Sequence, residues 1–380
     1  RVLEAAGPTG SHLAFLEHVL QQTEFKDRRD LLNDLKRGFP LYGVVPTGIM
    51  TNDLGVGSAK PRLVRRATTT PSEVRKSADA RWTHCLMTCE RARKEGDGSV
   101  LHDISEQTRS DQRAGRMGQP RELDRTLPCP TRRFGVQQMT SKGKMKIRCI
   151  DDFNASGIND CCHIIGRLRM GRITDLVDVT KILHEAHPGK ELVIFKTDFK
   201  AAYRSVPLRP QHYLYADVVY YDTTLKKLVV SKQLAMPFGA VAAVYGWDRV
   251  ADALSHVMML VLSIPVVRYV DDLFGACFAL HAEELRDMIV ELMAMCGFTL
   301  DPEKTPLPAP SHTILGIECR IRCTMRTTWA RQHLNLVARL DAAKTEVWIG
   351  MIKGILLAGR LEQHDAEKLA GRLNFLVFSV

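Results

Sequence analysis

The sequence has no apolar run long enough to cross a bilayer. A spanning helix needs roughly 18 to 20 such residues. The longest stretch, Val257 to Val267, is shorter and contains Ser263 and Pro265. No membrane partner is expected. The ten cysteines are scattered and lack the spacing of a disulfide framework. That argues against a small stapled secreted domain and fits a reducing, intracellular compartment, cytoplasmic or nuclear. His84, Cys85 and Cys89 cluster in sequence, as do Cys161, Cys162 and His163. Neither group forms a pair of CxxC knuckles, so structural zinc is not expected. No internal repeat is present, which excludes a solenoid or an array.

What is present suits a large soluble core. The 380 residues are 45% hydrophobic and carry a net charge of +10. That surplus is local. Lys60 to Arg148 holds 21 Lys and Arg against 10 Asp and Glu, so the rest of the chain is near neutral. Such a segment fits a polyanionic partner, because neutralised phosphates release counterions. A solvated linker is the plain alternative.

Hydrophobic periodicity divides the chain. Ser11 to Arg37 reads as helical, and Gly38 to Pro46 as extended. A short helix is expected around Ser72 to Arg93, whereas Lys94 to Pro130 looks loosely ordered. Lys144 to Ile150 alternates as a strand with its basic residues on one face. Asp175 to His187 is a helix stopped by Pro188-Gly189. Leu192 to Thr197 is a strand that ends at Asp198. Tyr213 to Tyr221 and Lys227 to Leu234 form a strand pair. Val241 to Leu262 is helical. Pro265 to Val270 and Leu273 to Phe278 are short strands flanking Asp271-Asp272. Ala282 to Met295 is a helix, Thr313 to Cys319 a strand, and Leu334 to Leu357 and His364 to Phe378 helical. Helices interleaved with hairpins indicate an α+β fold.

The acids carry the chemistry. Asp271 and Asp272 lie inside an otherwise apolar run, where a tight hairpin would lift them off the end of a sheet. An ordinary polar turn is the bland reading of that pair alone. Asp198 also closes an apolar strand. Adjacent in one sheet, these strands would gather three carboxylates that repel one another and raise one another's pKa. Mg²⁺ takes such oxygen ligands. Two ions can clamp the oxygens of a phosphoryl displacement.

At these residues the chain resembles reverse transcriptases. Tyr269-Val-Asp-Asp272 is similar to their YXDD box, and Thr197 to Leu208 (TDFKAAYRSVPL) resembles the preceding acid-bearing motif. Leu234 to Gly239 (LAMPFG) is similar to an L-P-F-G motif, and Arg148 to Asn154 (RCIDDFN) to a fingers strand. Gly297 to Thr305 (GFTLDPEKT) and Leu315-Gly316 resemble two later elements, the second a primer-grip hairpin. The motifs occur in family order, and their wording is similar to LTR and DIRS-like retroelements.

The resemblance implies a right-hand polymerase. Residues 1–58 would be an N-terminal helical and extended segment and 59–130 a basic linker. Fingers and palm would occupy 131–320, and a truncated helical thumb or connection 321–380. The palm would be an antiparallel sheet backed by the helices Val241 to Leu262 and Ala282 to Met295. The implied reaction is primer extension with dNTPs on an RNA or DNA template, using two Mg²⁺ ions, with Mn²⁺ as the substitute. Asp198, Asp271, Asp272 and the Phe199 carbonyl would hold the metals. Tyr203 would block a 2′-hydroxyl. Lys142, Lys144, Lys146, Arg148, Asp152, Phe238 and Gly239 would contact nucleotide or template, and Gly239 would let them approach the backbone. Lys304 would act as a general acid for the leaving pyrophosphate. Ala201, Phe238 and Asn154 depart from the common Asp, Gln and Arg at those places. An inactive nucleic-acid-binding remnant of such a polymerase is the alternative. No RNase H, protease, integrase or recombinase signature is visible. The start at Arg1 and the stop inside an apolar helical pattern read as a piece of a longer polyprotein.

Overall fold

The computed structural model describes residues 8–23, 25–46, 63–139, 145–166, 168, 170–324, 333–340, 342–363 and 365–371. In chain order its elements are helices α1 (Gly10–Gln22) and α2 (Arg28–Arg37), and strands β1 (Gly43–Pro46) and β2 (Leu63–Arg65). Helices α3 (Pro71–Lys76), α4 (Ala78–Glu95) and α5 (Gly98–Arg113) precede strands β3 (Thr131–Met139), β4 (Met145–Asp151) and β5 (Cys162–Ile165). Then come α6 (Ile173–Ala186), β6 (Leu192–Asp198), β7 (Asp217–Asp222), β8 (Lys227–Lys232) and α7 (Val241–Val261). The last are β9 (Val267–Tyr269), β10 (Asp272–Phe278), α8 (Ala282–Met295), β11 (Ser311–Ile314), β12 (Ile317–Thr324), β13 (His333–Leu340) and α9 (Ala342–Ala358). Helices and largely antiparallel sheets agree with the right-hand polymerase class that the resemblance implies. Among the described residues no helix is long and apolar enough to cross a membrane.

Two compact units emerge. One comprises Arg1–Leu168, Ala201–Ala253 and Met295–Phe298, and the other Arg169–Lys200, Leu254–Ala294 and Thr299–Val380. In the first, β4, β3, β7 and β8 form a four-stranded sheet in that order. Its β3–β7 pair is parallel, as is β1–β5 in a smaller sheet, and neither pairing was expected. Helix α4 packs Trp82, Cys85 and Cys89 on Val219 and Val230. Helix α5 sets Ile104 against Cys149, Tyr220 and Val229.

Several sequence expectations need correction here. The helix over 11–37 is two helices that flank residues 23–27, and the one around 72–93 divides at Ser77. Thr70 starts α3 with a capping box. Its hydroxyl accepts from the Glu73 N–H at 3.3 Å, and its own N–H donates to the Glu73 carboxylate at 2.7 Å. The stretch expected to be loosely ordered contains α5. Its buried stripe is Ile104, Ser105, Thr108, Asp111 and Gln112, at helical spacing but mostly polar. Apolar periodicity could not reveal it. Hydrogen bonds make the stripe tolerable. Gln112 donates to Tyr220 and Ser231, and Arg133 donates to Thr108.

A buried ion cluster holds α2 to α7 inside this unit. Arg249 donates to Asp27 at 2.7 and 2.9 Å and to Asp34 at 2.7 Å, and its side chain is 1% exposed. Burial pushes the Asp27 carboxyl up even beside that guanidinium.

In the second unit β6, β10 and β9 form an antiparallel sheet. Helix α6 presses Ile173 and Leu176 onto Leu192, Ile194, Val267 and Phe274. The β11–β12–β13 sheet adds Ile314, Ile317 and Ile321 to that core. The single strand expected over 313–319 is a hairpin turning at Leu315-Gly316. Residues 334–340, expected as helix, belong to strand β13. Leu336 and Ala338 face the core with period two, a pattern that a helical reading overlooks.

Removing Arg249 leaves the buried Asp27 without its cation and Asp34 with Arg209 alone. Arg249→Ala is expected to lose about 3 to 5 kcal/mol of unfolding free energy, measured by urea denaturation.

Candidate active site

The palm-like sheet of the second unit brings two acids face to face. Asp198 ends β6, and Asp272 opens β10 directly opposite it in the antiparallel register. Asp272 also pairs with Tyr269 of β9, so the turn residues are Val270 and Asp271. The hairpin is tight. Val270 holds φ +53°, a left-handed conformation that is rare and costly for a β-branched residue. Its N–H donates to Met170 Sδ at 3.4 Å. Gly171 donates to the Arg268 carbonyl at 2.6 Å, and a Cβ on Gly171 would overlap Val267.

A third strand-like segment lies beside Asp198. The Asp301 N–H donates to the Asp198 carbonyl at 2.8 Å, and Phe199 bridges Leu300. The turn that follows delivers Lys304, whose Nζ donates to Asp198 Oδ2 at 2.7 Å. Burial works against the Lys304 charge, but the carboxylates of Asp198, Asp301 and Asp271 raise its pKa overall. Lys196, two residues before Asp198, shares its face of the strand. Its ammonium donates to the Thr313 carbonyl at 2.9 Å, and burial lowers its pKa against the pull of Asp272 and Asp198. Asp272 bears the crowding. Burial first, then Asp271 and Asp198, push its carboxyl up to about 7.

Carboxylate oxygens without nitrogen or sulfur donors suit a hard divalent cation. Burial is the main cause of the raised Asp272 pKa, and Asp271 and Asp198 add to it against Lys196 and Lys304. In chemistry the donor set therefore fits. In placement, no group of three or more His, Cys, Asp or Glu among the described residues is arranged to hold a metal, and Lys304 takes one oxygen of Asp198.

The first unit holds most of the nucleotide-contact candidates. Lys146 and Arg148 are exposed on β4, one strand period apart, while Lys142 and Lys144 lie outside the described residues. Asp152 serves a turn: its carboxylate accepts from the Ala155 N–H at 3.1 Å, and its N–H donates to the Arg132 carbonyl at 2.9 Å. It also lines a small cavity of about 80 Å³ with Arg81, His84, Thr88 and Arg132. Tyr203 sits in the 3₁₀ turn Ala202–Ser205, entered through Ala201 at φ +56°. Its ring meets Phe238 edge-on at 5.2 Å. What approaches the Gly239 backbone is protein: at φ +102°, a Cβ there would overlap the Asp151 carbonyl.

The motif reading passed over several residues. Asp151, neighbour of the motif acid, is 1% exposed and bound bidentately by Arg133. Gln233 and Arg204 continue that network. Lys196 could have been found from strand period alone.

The hairpin sets its acids against an acid-ended strand, with lysines alongside. Residues 135–319 match the family model described as Reverse transcriptase (RNA-dependent DNA polymerase), so this segment is a reverse transcriptase domain. No curated protein matches the chain.

The Asp272 shift fixes a pH dependence. Its carboxyl titrates near 7 in the fold against an ordinary value of 3.8. The folded state therefore binds that proton more tightly than the unfolded chain. Stability falls as pH rises through that window, and the penalty is complete above it. In metal-free buffer Asp272→Asn should raise the thermal midpoint by several degrees at about pH 8 and leave it unchanged at about pH 4. Thermal melts at both pH values check this.

Proposed function

We propose that the domain is an RNA-directed DNA polymerase. It would join a dNTP to a primer 3′-hydroxyl on an RNA or DNA template and release pyrophosphate. One observation carries the reading: Asp198 and Asp272 stand opposite each other in the β6–β10 register, with Asp271 in the adjoining turn. These three acids, with the Phe199 carbonyl, would hold two Mg²⁺ ions, and Mn²⁺ could replace them. When bound, such ions supply Lewis-acid stabilisation of the attacking and leaving oxygens.

The chain's own groups then divide the work. Lys304 Nζ keeps its proton through Asp198 and would pass it to the leaving pyrophosphate. Exposed Lys146 and Arg148 would bind triphosphate oxygens, Arg148 as a fork and Lys146 as a point charge. Tyr203 would pack against the deoxyribose and refuse a 2′-hydroxyl. Basic side chains of the segment from Lys60 to Arg148 would hold the template–primer through its backbone.

Primer extension on an RNA template with dNTPs and Mg²⁺ tests the proposal. The chain should extend the primer. Asp271→Asn keeps the shape and removes a charge, so extension should drop at least about 100-fold, several kcal/mol of barrier. Extension that persists in Asp271→Asn would remove the metal assignment. No extension by the unaltered chain would favour the inactive remnant.

A further inference from the structure

The contacts around Tyr203 form a closed circuit inside the first unit. Tyr203 is bonded to Arg204, whose side chain is 3% exposed. Arg204 Nη1 donates to Gln233 Oε1 at 2.7 Å. Gln233 Nε2 donates to Asp151 Oδ2 at 2.6 Å. The Asp151 N–H donates to the Phe238 carbonyl at 2.9 Å. The Phe238 ring returns to the Tyr203 ring at 5.2 Å. Every polar link is buried: Gln233 is 0% exposed, Asp151 1% and Arg204 3%.

Each link is also anchored from outside the circuit. Arg133 holds Asp151 through two hydrogen bonds, at 2.8 and 3.1 Å. Asp111 holds Arg204 at 3.2 Å, and the Ala235 carbonyl accepts from Arg204 at 3.2 Å. Asn159 donates to the Gly239 carbonyl at 3.0 Å and caps α7 by accepting from the Val241 N–H at 2.9 Å. The aromatic pair therefore rests on a frame with little freedom. In a low-dielectric interior, a hydrogen-bonded network of this kind favours one geometry, and a gap in it is expensive.

We propose that Arg204, Gln233 and Asp151 are positioning residues that fix the Tyr203–Phe238 pair and thereby set the choice of sugar. This rests on the polymerase reading, which places Tyr203 against the sugar. Gln233 is the keystone, because its amide bonds Arg204 through its oxygen and Asp151 through its nitrogen. A gate works only if its ring cannot yield to an added hydroxyl, so loosening the support should relax selection without touching the phosphate chemistry.

Gln233→Met tests the idea. The side chain keeps its length, Asp151 keeps Arg133, and Arg204 keeps Asp111, so the fold should persist. Single-nucleotide incorporation would be compared for dNTPs and ribonucleotides, with Tyr203→Ala as reference. Gln233→Met should raise the ribonucleotide-to-dNTP ratio of kcat/KM by about tenfold, mainly by lowering the KM for ribonucleotides. A merely structural role would depress both substrates together and leave the ratio unchanged, and that result overturns the proposal. A second readout needs no activity. In a chain labelled with 3-fluorotyrosine, the Tyr203 ¹⁹F resonance, assigned by Tyr203→Phe, should shift or broaden in Gln233→Met and in Arg204→Lys. An unaltered resonance in both variants would show that the circuit does not hold the ring. Failure of the unaltered chain to extend any primer would instead count against the polymerase reading, and the ¹⁹F result would still judge the circuit.

Discussion

Two like charges set opposite each other across an antiparallel strand pair are the constraint around which the second unit is built. Such a pair destabilises a sheet unless something positive stands by it. The Asp198–Asp272 pair sits at the open end of β6 and β10, where burial and Asp271 sharpen the conflict until Asp272 titrates near 7. The chain supplies two partial answers. Lys304 reaches Asp198 from the turn after residue 301, and Lys196 lies on the same face of β6. The strained Val270 turn and the glycine-tight approach of Gly171 keep the hairpin short, so the acids cannot drift apart.

The first unit solves the opposite problem. It buries many polar groups and links several of them to one another within the chain. Arg249 gathers Asp27 and Asp34, while Arg133, Asp151, Gln233 and Arg204 run from the fingers-like sheet to the loop that bears Phe238. Burying paired charges gains little net stability over an apolar core, but it makes alternative packings costly. The outcome is a rigid setting for Tyr203 and Phe238, two positions that the family resemblance ties to the nucleotide.

The parts legible in the sequence were those with local signatures. The strand ending at Asp198, the hairpin around residues 271–272, and helices α6, α7 and α8 all follow from apolar runs with clear periods and stops. What stayed hidden depended on distant or polar partners. Helix α5 turns a polar stripe inward, so its period carries no apolar signal. Strand β13 reads as helix in the sequence because its alternation is short and runs into a helical pattern. Lys304 meets Asp198 across 106 positions, and Gln233 meets Asp151 across 82, so no local pattern announces either contact. Asp151 carries no local signal of its own, because its neighbour Asp152 fits the motif. The structure gives Asp151 the buried ion pair and Asp152 the turn.

If Asp198 holds a cation as proposed, that cation must displace the Lys304 ammonium from Asp198 Oδ2. Mn²⁺ titration of the whole chain without nucleic acid, followed by the electron paramagnetic resonance of free Mn²⁺, tests it directly. The account predicts saturable binding that Asp198→Asn weakens on the order of tenfold or more, and that Lys304→Met strengthens by removing the competing ammonium. Mn²⁺ binding of equal strength in the unaltered chain and in Asp198→Asn would contradict it.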